Sequence, residues 1–73
     1  MMSKKDKREQ KIRDNTKNVS LEDFEWLINQ YGYIKIGGSH SVAVIKNTSY
    51  AYPRKNPMGQ PYVKRLIEII DNN

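Results

Sequence analysis

The chain reads as an α+β protein: a two-layer αβββα domain in which two helices cover one face of a three-stranded antiparallel sheet, with a basic helix in front. Three observations predict this. Apolar residues recur at helical spacing in two stretches, 20–32 and 61–71. Between them lie three short runs of β-branched and aromatic residues, at 33–36, 41–46 and 50–52. The connections between those runs are short and polar, as an antiparallel meander requires. A chain of 73 residues has room for one such domain. It buries only about 60% of the surface its unfolded form exposes, so the core is thin.

Residues 3–14, SKKDKREQKIRD, are almost wholly polar, and Ile12 is their one apolar anchor. Lys, Arg, Glu and Gln form helices readily and Ser3 can cap, so a helix or a frayed basic arm is expected here. Packing is expected near its end and disorder near its start. The domain boundary follows, with an arm at 1–18 and the folded domain at 19–73. Ser20 is a helix N-cap with Asp23 in the capping-box position, and Val19 and Phe24 form a hydrophobic staple. The acids Glu22, Asp23 and Glu25 fall in the first turns, where the helix dipole favours them. Leu21, Phe24, Leu27, Ile28 and Tyr31 make one apolar face, and Gly32 ends the helix at C′. Trp26 falls between the apolar positions and is expected to lie beneath the N-terminal arm.

Beyond Gly32 the period shortens. Tyr33–Ile36 is the first strand. In the second, 41–46, Val42 and Val44 share one face and Ala43 and Ile45 the other. Asn47-Thr48-Ser49 is a polar connection and Tyr50–Tyr52 the third strand. The stretch 53–61 has three prolines and a glycine and forms an ordered loop. Pro61 then takes the first helical position, and Val63, Leu66, Ile67 and Ile70 define the closing helix.

The net charge of +5 favours a polyanion partner, either nucleic acid or an acidic protein. The charge is unevenly placed. Residues 1–18 hold seven bases and three acids, 19–31 hold three acids and no base, and 32–73 hold six bases and two acids. There is no cysteine, so no disulfide and no thiolate metal site. No apolar run approaches the roughly 20 residues that span a bilayer, and the basic start lacks the apolar segment of a signal peptide. A cytoplasmic protein is expected, with no membrane partner.

His40 is the single histidine, in Gly37-Gly38-Ser39-His40. On composition alone it is an ordinary surface residue at a strand start, and the glycines before it simply turn a hairpin. The same glycines also allow a phosphate to approach backbone N–H groups. In order, NVSLEDFEWLINQYGY, GGSH, YPRKNP and PYVKRLIEII resemble the HicA family of toxin–antitoxin ribonucleases over about residues 12–71. The Gly38-Ser39-His40 step, the Pro53-Arg54 step and Val63-Lys64-Arg65 carry the resemblance. It implies a fold like the double-stranded-RNA-binding domain and metal-independent cleavage of mRNA with His40 as the catalytic residue. It also implies a HicB-like antitoxin as protein partner and no cofactor or metal. In one departure, many relatives carry a histidine after the proline-arginine pair, where this chain has Lys55. Others have a second histidine or an aromatic after Gly-Ser-His, where this chain has Ser41-Val42.

The chemistry needs little beyond histidine. RNA brings its own nucleophile, the 2′-OH. Cleavage requires a base near that hydroxyl, charge at the phosphate and a proton for the leaving 5′ oxygen, and histidine exchanges protons near neutral pH. One histidine cannot fill both proton roles simultaneously, and Tyr50, Tyr52 and Lys55 are candidates for the other. Gly38 and Ser39 are expected RNA contacts beside His40. Lys35, Lys46, Arg54, Lys55 and Lys64 are candidate phosphate contacts, of which Arg54 has the best geometry for the task. Tyr31, Tyr33, Tyr50, Tyr52 and Tyr62 can stack on unpaired bases, though most are expected in the core or at its rim. The competing expectation is a non-catalytic RNA-binding module that uses the same basic surface.

Overall fold

The computed structural model describes residues 3–72; Met1, Met2 and Asn73, the ends of the expected arm and domain, lie outside them. The elements run α1 (Lys4–Asp14), α2 (Leu21–Tyr31), β1 (Tyr33–Ile36), β2 (His40–Ile45), β3 (Thr48–Pro53) and α3 (Gln60–Asp71). This is an α+β fold, an αβββα unit preceded by a further helix. The sheet is antiparallel with β2 in the centre.

The pleat divides the sheet into two faces. Ser41, Ala43 and Ile45 of β2 point to the core with Tyr52 of β3. Phe24, Leu27 and Ile28 of α2, and Val63, Leu66, Ile69 and Ile70 of α3, close over that face. The Phe24 and Tyr52 rings meet at 5.0 Å between centroids, tilted by 59°, an arrangement that aromatic quadrupoles favour. The other face carries Tyr33, Lys35, His40, Val42, Val44, Ser49 and Ala51 by register, and no element among the described residues covers it.

Several local expectations change. Gly32 does end α2, but in extended backbone (φ −169°) rather than the left-handed C′ conformation. It is needed for space, since a Cβ there would sit 1.9 Å from the Val44 carbonyl oxygen. The β2–β3 connection is the pair Lys46-Asn47, with Lys46 in the left-handed region (φ 53°), so Thr48 and Ser49 belong to the third strand. At α3, Gln60 precedes Pro61 and Ile69 joins the buried stripe, while Ile67 is only half-buried. Tyr31, expected on the apolar face of α2, is 42% exposed and donates its hydroxyl to Glu9 at 2.8 Å. Ser20 caps α2 by accepting from the Asp23 N–H at 3.0 Å, but the Asp23 carboxylate goes to Arg8.

That contact explains α1. Of the two expectations, helix or frayed arm, the described residues form the helix, opened by a reciprocal Ser3–Asp6 capping box. Ile12 is its one buried residue. The rest of its attachment is polar. Arg8 donates to Asp23 at 2.8 Å and lies 4.6 Å from the centre of the Trp26 ring. Arg13 donates to Asp71 of α3 at 2.9 and 3.0 Å. Trp26 is therefore half-buried under the arm. The loop 54–59 is ordered by Met58, whose N–H reaches the Val19 carbonyl at 2.8 Å and whose side chain is buried.

Candidate functional site at the hairpin mouth

His40 opens β2 and lies opposite Pro53 in register. It is exposed, whereas its neighbour Ser41 is completely buried, because successive side chains of the strand alternate between faces. The imidazole thus stands on the uncovered sheet face. Its Nδ1 lies 3.2 Å from the Ser39 hydroxyl, an arrangement that can hold the ring's orientation. Gly37 and Gly38 approach along the exposed loop between β1 and β2. Neither has positive φ, and the space a Cβ would occupy at Gly38 is open. A ligand can therefore come close to the backbone there.

The register decides which expected residues join this histidine. Lys35 pairs with Val42, two residues from His40 on the same face, so its ammonium shares the site's surface. Tyr33 lies further along that face and is 53% exposed. Arg54 follows Pro53, beside the histidine, but one guanidinium nitrogen is committed to Glu25 at 3.3 Å. Lys55 places its ammonium 5.8 Å from the centre of the Tyr62 ring. Lys46 stands in the turn at the opposite end of β2, and Lys64 is exposed on α3, which packs on the other side of the sheet. These two are not brought to His40.

Of the three candidate proton partners, Tyr50 and Tyr52 point the wrong way. They pair with Ala43 and Ser41 and so face the helices, away from His40. Tyr52 is fully buried and donates to the Glu25 carboxylate at 2.6 Å. Burial, reinforced by that hydrogen bond and the Glu25 charge, pushes its hydroxyl well above the usual tyrosine range. The Ser41 hydroxyl acts in the other direction, although its geometry falls short of a hydrogen bond, leaving Ser41 Oγ buried without a partner. Burial also raises the Tyr50 hydroxyl. Neither phenol can serve chemistry on the open face.

Two residues gain weight from the structure: Glu25, which the sequence does not mark as a site residue, and Tyr33, one of the five tyrosines expected to stack. Glu25 joins α2 to both Tyr52 and Arg54, and so fixes the β3 exit beside His40. Nothing in the helix pattern marks it, since its partners lie 27 and 29 residues away. Tyr33 is the one tyrosine on the histidine's face. A cleft of about 360 Å³ between the ends of α1 and α2 and the loop at Asn56-Pro57 takes none of the expected site residues in its lining.

Comparison with known families, curated proteins and solved structures finds no significant match to this chain. What the site can do rests on its own residues. They offer a solvent-facing imidazole, a lysine on the same surface, an arginine held at the rim and an accessible glycine backbone. Among the described residues, no group of three or more His, Asp or Glu side chains is placed to hold a metal ion. No helix among them is long and apolar enough to cross a membrane.

Proposed function

We propose that the protein is a metal-independent endoribonuclease that cleaves mRNA, acting as the toxin of a toxin–antitoxin pair. The observation that carries the reading is the position of His40. It is the single histidine, exposed on an uncovered sheet face, next to an open glycine loop and a lysine. In the reaction, neutral His40 takes the proton of a ribose 2′-OH. The 2′ oxygen forms a bond to the adjacent phosphorus as the bond from phosphorus to the 5′ oxygen breaks. The departing 5′ oxygen takes a proton from the Lys35 ammonium or from water. The products are a 2′,3′-cyclic phosphate and a 5′-hydroxyl. Lys35, Arg54 and the Gly38–Ser39 backbone offset the charge that builds on the phosphate.

A HicB-like antitoxin is the proposed protein partner, consistent with the resemblance in the Gly-Ser-His and Pro-Arg steps. Tyr33, Val42, Val44 and Ala51 give the same face apolar surface, which a covering protein would bury. One observation favours the second reading, a non-catalytic RNA-binding module: Tyr50 and Tyr52 face the core, which leaves Lys35 as the proton donor nearest in register to His40. The test is induced expression of the wild type beside His40→Ala. Growth arrest with loss of intact mRNA in the wild type alone supports the nuclease. Folded, harmless proteins in both cases favour the binding module.

A further inference from the structure

The α1 helix sorts its cations by type. Arg8 and Arg13 are turned inward, onto Asp23 and Trp26 and onto Glu9 and Asp71. Lys4, Lys7 and Lys11 recur at i, i+3 and i+7. They fall within a stripe about 60° wide along the helix, with Lys4 beside Arg8 and Lys11 at the rim of the cleft that Asp23 also lines. All three are exposed, and among the described residues no side-chain hydrogen bond or ion pair engages them. Asp14, which accepts from Gln10 at 2.8 Å, bounds the stripe at its far end.

This placement works against the helix itself. Lys4, Lys5 and Lys7 crowd the first turns, where the partial positive charge of the helix N-terminus disfavours cations, and Asp6 is the one acid there. A locally unfavourable choice of this kind marks a functional surface more often than a structural one. For Lys4 and Lys7, near this end, an arriving anion relieves that cost, while Lys11 lies in the last turn. The stripe also lacks what a protein partner needs. Ile12, the helix's one apolar residue, is buried, so α1 itself offers no aromatic or aliphatic anchor to desolvate. A phosphodiester chain needs cations alone.

We propose that Lys4, Lys7 and Lys11 form a second RNA-backbone contact, separate from the His40 face and reading charge rather than sequence. The inference rests on the RNA reading above. It assigns α1 the role of holding the strand while the sheet face performs the chemistry.

The test uses the full chain carrying His40→Ala, so that RNA stays intact, and a labelled single-stranded 20-nucleotide RNA followed by fluorescence anisotropy between 50 and 300 mM salt. Lys4→Gln/Lys7→Gln/Lys11→Gln is added to that background. Glutamine matches lysine in helix propensity, so α1 persists, and Trp26 emission reports that it remains docked. Each single-strand phosphate contact contributes about 0.7 to the slope of log affinity against log salt, so the slope should fall by about 2 and affinity at 0.1 M salt by on the order of tenfold or more. Lys4→Arg/Lys7→Arg/Lys11→Arg should retain both. A control in which Lys17→Gln and Arg65→Gln remove charge elsewhere should move the slope by less than half as much. If the parent binds RNA and the glutamine variant keeps its affinity and slope, the inference is wrong and the nuclease reading is untouched. If the glutamine variant instead loses only binding to polyglutamate, the stripe serves an acidic protein and the inference is equally overturned. If the parent binds no RNA and the wild type cuts none, the underlying reading fails first.

Discussion

Gly32 is the position where one added methyl group does most damage. Its Cβ would overlap the Val44 carbonyl, which is backbone of the central strand and cannot swing aside. Gly32→Ala is therefore expected to destabilise the protein by about 3 kcal/mol, at the upper end of overpacking costs. At Gly38 the same change meets open space and should cost less than about 1 kcal/mol. Denaturant midpoints of the two variants check the contrast, and equal midpoints would contradict it. The sequence marks Gly32 as special but for a different reason, because a helix-ending glycine looks alike whether it supplies a left-handed turn or room for a neighbour. His40 is legible as the candidate chemical centre from its uniqueness and its Gly-Ser context. Its exposure follows from strand alternation, once the strand is known to begin at residue 40 rather than 41. The exclusion of Tyr50 and Tyr52 is not legible in the same way, because which face a strand turns to the core depends on pairing with β2.

Between elements, the informative contacts are those of α1. Its period is polar, so sequence reading finds a basic helix but no docking face. The face is built from arginines whose acidic partners lie 15 and 58 residues away. The connection at 46–47 hides for a related reason: the left-handed residue is Lys46, not a glycine, so the polar Thr48 and Ser49 read as loop although they pair with β2. The docking of α1 has a pH signature. Hydrogen bonds from Arg13 hold the Asp71 carboxyl below the usual carboxylate range. A lowered folded-state pKa contributes stability that is present above about pH 4 and is lost as pH falls through the folded value. The α1–α3 attachment is thus expected to loosen on acidification, and Asp71→Asn should remove that part of the response. Trp26 emission, followed from pH 6 to pH 2.5, reports the movement through Arg8. An identical acid profile in Asp71→Asn would contradict the assignment.

At the scale of the whole molecule, the order of elements was predictable from two helical periods around three short strands, and the layering follows from covering one sheet face with both helices. At alkaline pH the largest response is expected from Tyr52, with Tyr31 and Tyr50 raised in the same direction. The Tyr52 hydroxyl is raised by burial and by Glu25, so the folded state keeps a proton that the unfolded chain releases near pH 10. Stability contributed by this group is complete below that pH and is lost as pH rises above it. Denaturant midpoints should accordingly fall between pH 10 and pH 11.5, and a flat profile would contradict the buried hydrogen bond. The charge layout is two-sided, with the acidic α2 holding Arg8 of the basic α1 while the lysines of α1 and Lys35 of the sheet face look outward.

The measurement that bears most directly on the central claim is the chemistry of RNA ends. Purified wild type and His40→Ala would be incubated with single-stranded RNA in the presence of EDTA, and the product termini identified. The wild type should leave 2′,3′-cyclic phosphate and 5′-hydroxyl ends and the variant should cleave at least a hundredfold less, in keeping with the contribution of about 10²–10⁴-fold from a general base. Equal cleavage by both proteins, or none by a folded wild type, would contradict a catalytic role for His40.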